Sequence, residues 1–85
     1  MVTLTKRISA HQDRLGFHRV HATGVINDVT PGSWADTEAD IRVGDWIIAI
    51  NRRSYADMLS LGDAKNVVRE ELNRRPGTIE LQRRL

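Results

Sequence analysis

Ile41-Arg42-Val43-Gly44-Asp45-Trp46-Ile47-Ile48-Ala49-Ile50-Asn51 is the stretch from which the fold can be read. Gly44-Asp45 ends a loop, and Trp46 to Ile50 is then the longest apolar run in the chain. A five-residue run between turn signals reads as a buried central strand. Asn51-Arg52 turns the chain after it. Five residues are far short of the ~20 that cross a bilayer and of the apolar stretch of about 7–15 in a signal peptide. Asp45, at the head of the strand, reads as an acid that hydrogen-bonds nearby backbone rather than as a catalytic group.

Upstream, Val2, Leu4 and Ile8 share one parity, the pattern of a half-buried strand over 2–8. Ser9 to Arg14 is polar and reads as a loop. Gly16 to His21 and Gly24 to Val29 are two further strand candidates. Thr30-Pro31-Gly32-Ser33 is a turn, because Pro fixes φ and Gly supplies φ > 0. A short helix follows over 33–39, with Ser33 as cap and Asp36 three residues on.

Downstream, Ala64, Val67, Val68 and Leu72 fall on one helical face. Ser60-Leu61-Gly62-Asp63 repeats the capping spacing, so this second helix is expected to begin at Leu61. Pro76-Gly77 ends it. Thr78 to Leu85 alternates again, with Ile79, Leu81 and Leu85 on one face. The expectation is an α+β, mainly β domain: a partly open barrel of five or six short strands capped by two helices.

The chain has 85 residues, 13 Lys and Arg, 11 Asp and Glu, three His and no Cys, for a net charge of +2. That length allows one domain, 1–85. A chain so short buries only roughly 60–65% of its unfolded surface, which argues against a large enclosed active site. Without Cys there is no disulfide, thiolate metal site or cysteine nucleophile. A small secreted domain usually needs such staples, so a cytoplasmic setting is expected. The mixed charge does not point to nucleic acid.

Three segments carry a family resemblance. Arg14-Leu15-Gly16-Phe17 sits where the loop meets the second strand. Val29-Thr30-Pro31-Gly32-Ser33-Trp34-Ala35-Asp36 follows the third strand, and the Ile41–Asn51 stretch comes next. In this order and spacing they resemble the PDZ domain family, in its eukaryotic strand arrangement. The resemblance covers nearly the whole chain. Departures are Arg14 in place of a frequent Gly, Ala39 where a Gly often ends the short helix, and Asn51-Arg52 in place of Asn-Gly. One extra residue stands between Met58 and Ser60, and the second helix is expected to run about one turn longer than usual.

The resemblance implies a protein-interaction module that captures the C-terminal tail of a partner, as part of a scaffold, anchoring or regulatory protein. A terminal carboxylate only accepts hydrogen bonds and carries one charge, so it needs converging donors. The backbone N–H groups of Leu15, Gly16 and Phe17, beside Arg14, form such a nest. The rest of the tail would add as a strand along Phe17, His18, Arg19 and Val20. Leu15, Phe17 and Val68 would line the pocket for the last, apolar side chain. By the resemblance Leu61 opens the second helix and faces the third-from-last side chain, which implies an apolar preference there. Alternatively Leu61 tucks under the helix and Ser60 or Lys65 faces the groove. Arg19 and Lys65 could attract acids upstream in the ligand, and His18 and His21 could line its outer edge. An ordered short ligand gives micromolar affinity.

No catalytic constellation, cofactor motif or metal-ligand spacing is found. His18 and His21 are three apart on a strand and point to opposite faces. The rival reading is a phosphoinositide-binding or acidic membrane-surface domain, docking through Lys6-Arg7, Arg52-Arg53, Arg74-Arg75 and Arg83-Arg84. Under either reading the expected setting is cytoplasmic, with a place at the periphery of membrane or cytoskeleton reached through partners. Trp34 and Trp46 either form an exposed surface for a partner or a weak homodimer, or each covers an end of the barrel.

Overall fold

The computed structural model describes residues 1–84, so the expected place of Leu85 on the last strand lies outside the described residues. Six strands and three helices follow one another as β1 (Val2–Ile8), β2 (Phe17–Arg19), β3 (Ile26–Val29), α1 (Trp34–Thr37), β4 (Trp46–Ile50), β5 (Arg53–Ser54), α2 (Tyr55–Leu59), α3 (Ala64–Asn73) and β6 (Gly77–Arg83). One antiparallel sheet runs β1-β6-β4-β5, and β2 pairs with β3 in a second. The expected α+β, mainly β class is therefore present, with one helix more than the sequence pattern suggested.

Alternation positions the sheet on the core. Leu4 pairs with Leu81 and Leu81 with Ile47, and Ile47 and Leu81 are fully buried. Ile8, Ile26, Ile50, Met58, Val68 and Ile79 are buried with them. The two sheets are stitched where β3 begins. Ile26 N–H donates to Asp45 C=O at 2.8 Å, and Ile47 N–H donates to Gly24 C=O at 2.9 Å. Gly24 has φ +79, and a Cβ there would lie 2.9 Å from the Ile47 carbonyl oxygen. Only glycine lets the chain cross β4 this closely.

The two buried charged side chains, Asp45 before β4 and Glu71 on α3, are both hydrogen-bonded. Arg83 Nε and Nη2 bind the two carboxylate oxygens of Asp45 at 2.8 and 2.7 Å, and Arg42 N–H donates to the same carboxylate at 2.9 Å. Burial pushes the Asp45 carboxyl up, but the hydrogen bonds from Arg83 and Arg42 outweigh it and hold it below its ordinary value. Glu71 is also held low, by Arg53 and Asn51. Asn51 Nδ2 donates to Glu71 and its Oδ1 accepts from Thr78 N–H, so the residue that turns the chain also ties α3 to β6. Asn51 and Arg52 take φ 52 and 66, the left-handed pair of a two-residue hairpin, without the expected Gly.

Three expectations are corrected here. Ser60 does not open a helix. Its N–H and hydroxyl bind Asp57 C=O and close α2, a helix unforeseen from the sequence, and α3 starts only at Ala64. The reason is packing: Tyr55 and Met58 are 2% and 1% exposed and pull 55–59 into a helix of its own. The apparent extra turn of the second helix is this connection. Trp34, in turn, is buried in the core while Trp46 is exposed, so the two do not form one exposed surface.

Candidate functional site

β2 is paired with β3 on one side only. Thr30 N–H donates to Gly16 C=O and Val20 N–H donates to Val25 C=O, both at 2.8 Å. By the alternation of an antiparallel pair, the backbone groups of Phe17 and Arg19 therefore point to the open side. α3 lies across that side, and a groove of about 520 Å³ separates the two. Leu15, Gly16, Phe17 and Arg19 form one wall, and Lys65, Arg69 and Leu72 form the other.

The closed end of the groove is built by the turn after β3. Gly16 has φ +85, and a Cβ there would lie 2.1 Å from Ser33 Cβ. Ser33 caps α1, its Oγ accepting from Asp36 N–H, and Asp36 Oδ2 accepts from Gly32 N–H at 2.8 Å. The Leu15 carbonyl accepts from Ala35 N–H at the start of α1. The carbonyls of this loop are thus drawn toward α1 and β3. The N–H groups of Leu15 and Gly16 have no protein acceptor among the described residues. With the Phe17 N–H they form donors at the end of an open strand edge.

A further side chain braces this end. Arg75, just past α3, donates to the carbonyls of Gln12 and Asp13 at 2.9 and 3.0 Å. It ties the loop before Leu15 to the end of the helix. In the sequence it shows only as half of a basic pair, and no local signal marks a contact 62 residues away in the chain.

The candidate residues separate into two groups. Arg14, Leu15, Gly16, Phe17, Arg19 and Lys65 all line the groove. His18 and Val20 fall on the opposite, exposed face of β2. Val68 is fully buried and turned into the core, and Leu72 takes the apolar place on the groove wall. Leu61 sits in the α2–α3 connection, 40% exposed and off the groove. Arg69 and Leu72 lie one helical turn beyond the positions that the resemblance implies: with α3 starting at Ala64, the groove side is Lys65, Arg69 and Leu72 rather than Leu61, Lys65 and Val68. His21 is at the far end, where the groove meets the start of α3.

Among the described residues, no His, Cys, Asp and Glu group could hold a metal ion, and no helix is long and apolar enough to cross a membrane. Three of the four basic pairs have a member bound internally: Arg53 and Arg74 to Glu71, and Arg83 to Asp45. A second hollow, around Val43 and Trp46, offers exposed apolar surface but none of the loop donors.

The family model described as PDZ domain matches residues 4–79. No curated protein matches the chain significantly. Among solved structures, INAD PDZ3 in complex with a TRP channel tail superposes with a TM-score of 0.51. It is 20% identical, and the match covers 93% of this chain and 81% of that one. At this identity the likeness establishes the fold and nothing finer.

Proposed function

Since the chain belongs to the PDZ domain family, we propose that it is a protein-interaction module that captures the C-terminal tail of a partner between β2 and α3. The observation that carries the reading is the pair of unpartnered N–H groups at Leu15 and Gly16, at the end of an open strand edge. Three successive backbone donors without a protein acceptor suit a carboxylate, which has only acceptors to offer. The upstream tail adds to β2 as a strand, bonding the free backbone groups of Phe17 and Arg19. Its last side chain rests on Leu15, Phe17 and Leu72, so that residue is apolar. That INAD PDZ3 was solved with a channel tail is in keeping with a peptide ligand.

The expected apolar preference at the third-from-last position rested on Leu61 and loses its basis with Leu61 off the groove. The decisive experiment compares free-acid and amidated forms of random C-terminal peptides. Amidation removes the charge and one acceptor, and binding should fall at least about tenfold, as loss of a charged group's hydrogen bonds implies. Equal affinity for the two forms would refute tail capture.

A further inference from the structure

The net charge of +2 conceals an uneven distribution. Five of the thirteen Lys and Arg line the groove, Arg14, Arg19, Lys65, Arg69 and Arg75, against the single acid Asp13. The remainder of the chain carries eight cations against ten acids. None of the five is in a salt bridge among the described residues; those bridges are made by Arg42, Arg53, Arg74 and Arg83, all outside the groove. A cleft lined by one sign of charge concentrates ligands of the other. One terminal carboxylate, held by backbone amides, cannot answer all of these cations.

Helix and strand rises say where the others act. α3 runs antiparallel to β2: Arg75 at its end reaches the loop before Leu15, and its start adjoins His21 beyond β2. A tail whose last side chain meets Leu72 places its third-from-last side chain about 6.8 Å further along the strand. On α3, Arg69 lies about 4.5 Å and Lys65 about 10.5 Å back from Leu72. The side chain therefore arrives between the two. Arg19, two residues past Phe17 on the same strand face, arrives opposite it. Arg19 is held by its Nε, which donates to Tyr55 Oη at 3.2 Å, and the Tyr55 hydroxyl donates to His21 C=O at 2.6 Å. Both terminal nitrogens of Arg19 are left without a protein acceptor among the described residues. His21 Nδ1, at the same end, is buried without a hydrogen-bond partner.

We infer that this groove selects tails whose third-from-last side chain is anionic, the carboxylate of Asp or Glu or the phosphate of a modified Ser or Thr, held between Arg19 on β2 and Lys65 and Arg69 on α3. The inference rests on tail capture as proposed above and reverses the apolar preference that the sequence suggested.

Pools of fluorescent heptapeptides test it. Each pool ends in a mixture of Leu, Ile, Val and Phe and is fixed at the third-from-last position as Asp, Glu, phosphoserine, Thr or Val. The other positions are randomised without charged residues, and each pool is made as free acid and amide. The anionic free-acid pools should bind at least about fivefold tighter than the Thr and Val pools, the gain expected of two or three half-exposed charge pairs, and the gain should shrink as salt rises. A gain confined to phosphoserine would assign the site to modified tails. In the K65Q/R69Q variant, which removes two of the groove cations, the ratio of anionic-pool to Val-pool affinity should fall from about fivefold toward one, whatever the change in overall affinity. Thr or Val pools that bind as tightly as Asp and phosphoserine would overturn the anionic subsite and leave tail capture standing. No difference between free acid and amide in any pool would overturn both.

Discussion

Gly16 and Ser33 touch so closely that any Cβ on Gly16 would lie 2.1 Å from the Cβ of Ser33. This contact wedges the Leu15–Phe17 loop against the cap of α1, and Ser33 Oγ donates to Gly16 C=O at 3.4 Å. Gly16→Ala combines a steric clash with a left-handed φ of +85, and should cost about 2–4 kcal/mol in chemical denaturation. Adding Ser33→Gly removes the clash but not the backbone strain, so the double variant should recover part of that loss. A double variant no more stable than Gly16→Ala alone would show that the contact is not what excludes a side chain.

Arg75 should matter more to binding than to folding. Arg75→Met keeps the stem packed against the chain and removes the bonds to the Gln12 and Asp13 carbonyls. The loop before Leu15 then loses its tie to α3. Affinity for a free-acid tail should fall about three- to tenfold, the equivalent of one net hydrogen bond or somewhat more. Thermal stability measured alongside should change little; a fall in stability with unchanged affinity would contradict the bracing role.

Val68 and Leu72 are four apart on α3 and look interchangeable in the sequence, but they face different things. Val68→Ala opens a cavity in the core and should cost about 1–3 kcal/mol of stability. Peptide affinity, measured well below the melting temperature, should hold. Leu72→Ala should weaken binding of an apolar C-terminal residue by about 1–2 kcal/mol as well as destabilise the fold, because the removed methyls line both. Titration of one apolar-ended peptide against both variants separates the two roles.

The Asp45–Arg83 pair predicts acid sensitivity with a definite sign. Asp45 has a lower pKa folded than unfolded, so its contribution is complete above the unfolded value near 3.8. It is lost as the pH falls through that value toward the folded one. Asp45→Asn should cost about 2–3 kcal/mol at neutral pH, since the amide leaves Arg83 short of a charged acceptor. The acid limb of the stability curve should also flatten. An unchanged acid limb in the variant would place the acid sensitivity elsewhere, with Glu71 the next candidate, since Arg53 and Asn51 hold its carboxyl low.

The sequence spells Ser-x-x-Asp three times, at 33–36, 54–57 and 60–63, and their fates differ. At the first two the serine hydroxyl caps a helix. At the third, Ser60 closes the preceding helix and Asp63 stands at the start of α3 without a side-chain cap bond. The pattern is local and cannot say which end of a helix it marks. That depended on Tyr55 and Met58 entering a core made by residues distant in the chain.

Sequence alone determined what local chemistry can determine. Alternation set the strand 2–8, a continuous apolar run set the strand 46–50, Pro31-Gly32-Ser33 set the turn into α1, and Leu15-Gly16-Phe17 set the donor loop, because each depends on a few neighbouring residues and their backbone freedom. Tertiary structure alone decided the face that α3 shows the groove, the tie from Arg75 to the loop, and the gathering of five cations from three separate stretches around one cleft. Those are meetings between residues tens of positions apart. The apolar positions 64, 67, 68 and 72 mark a helix in the sequence, but which of its faces meets the ligand depends on how α3 packs between the core and β2.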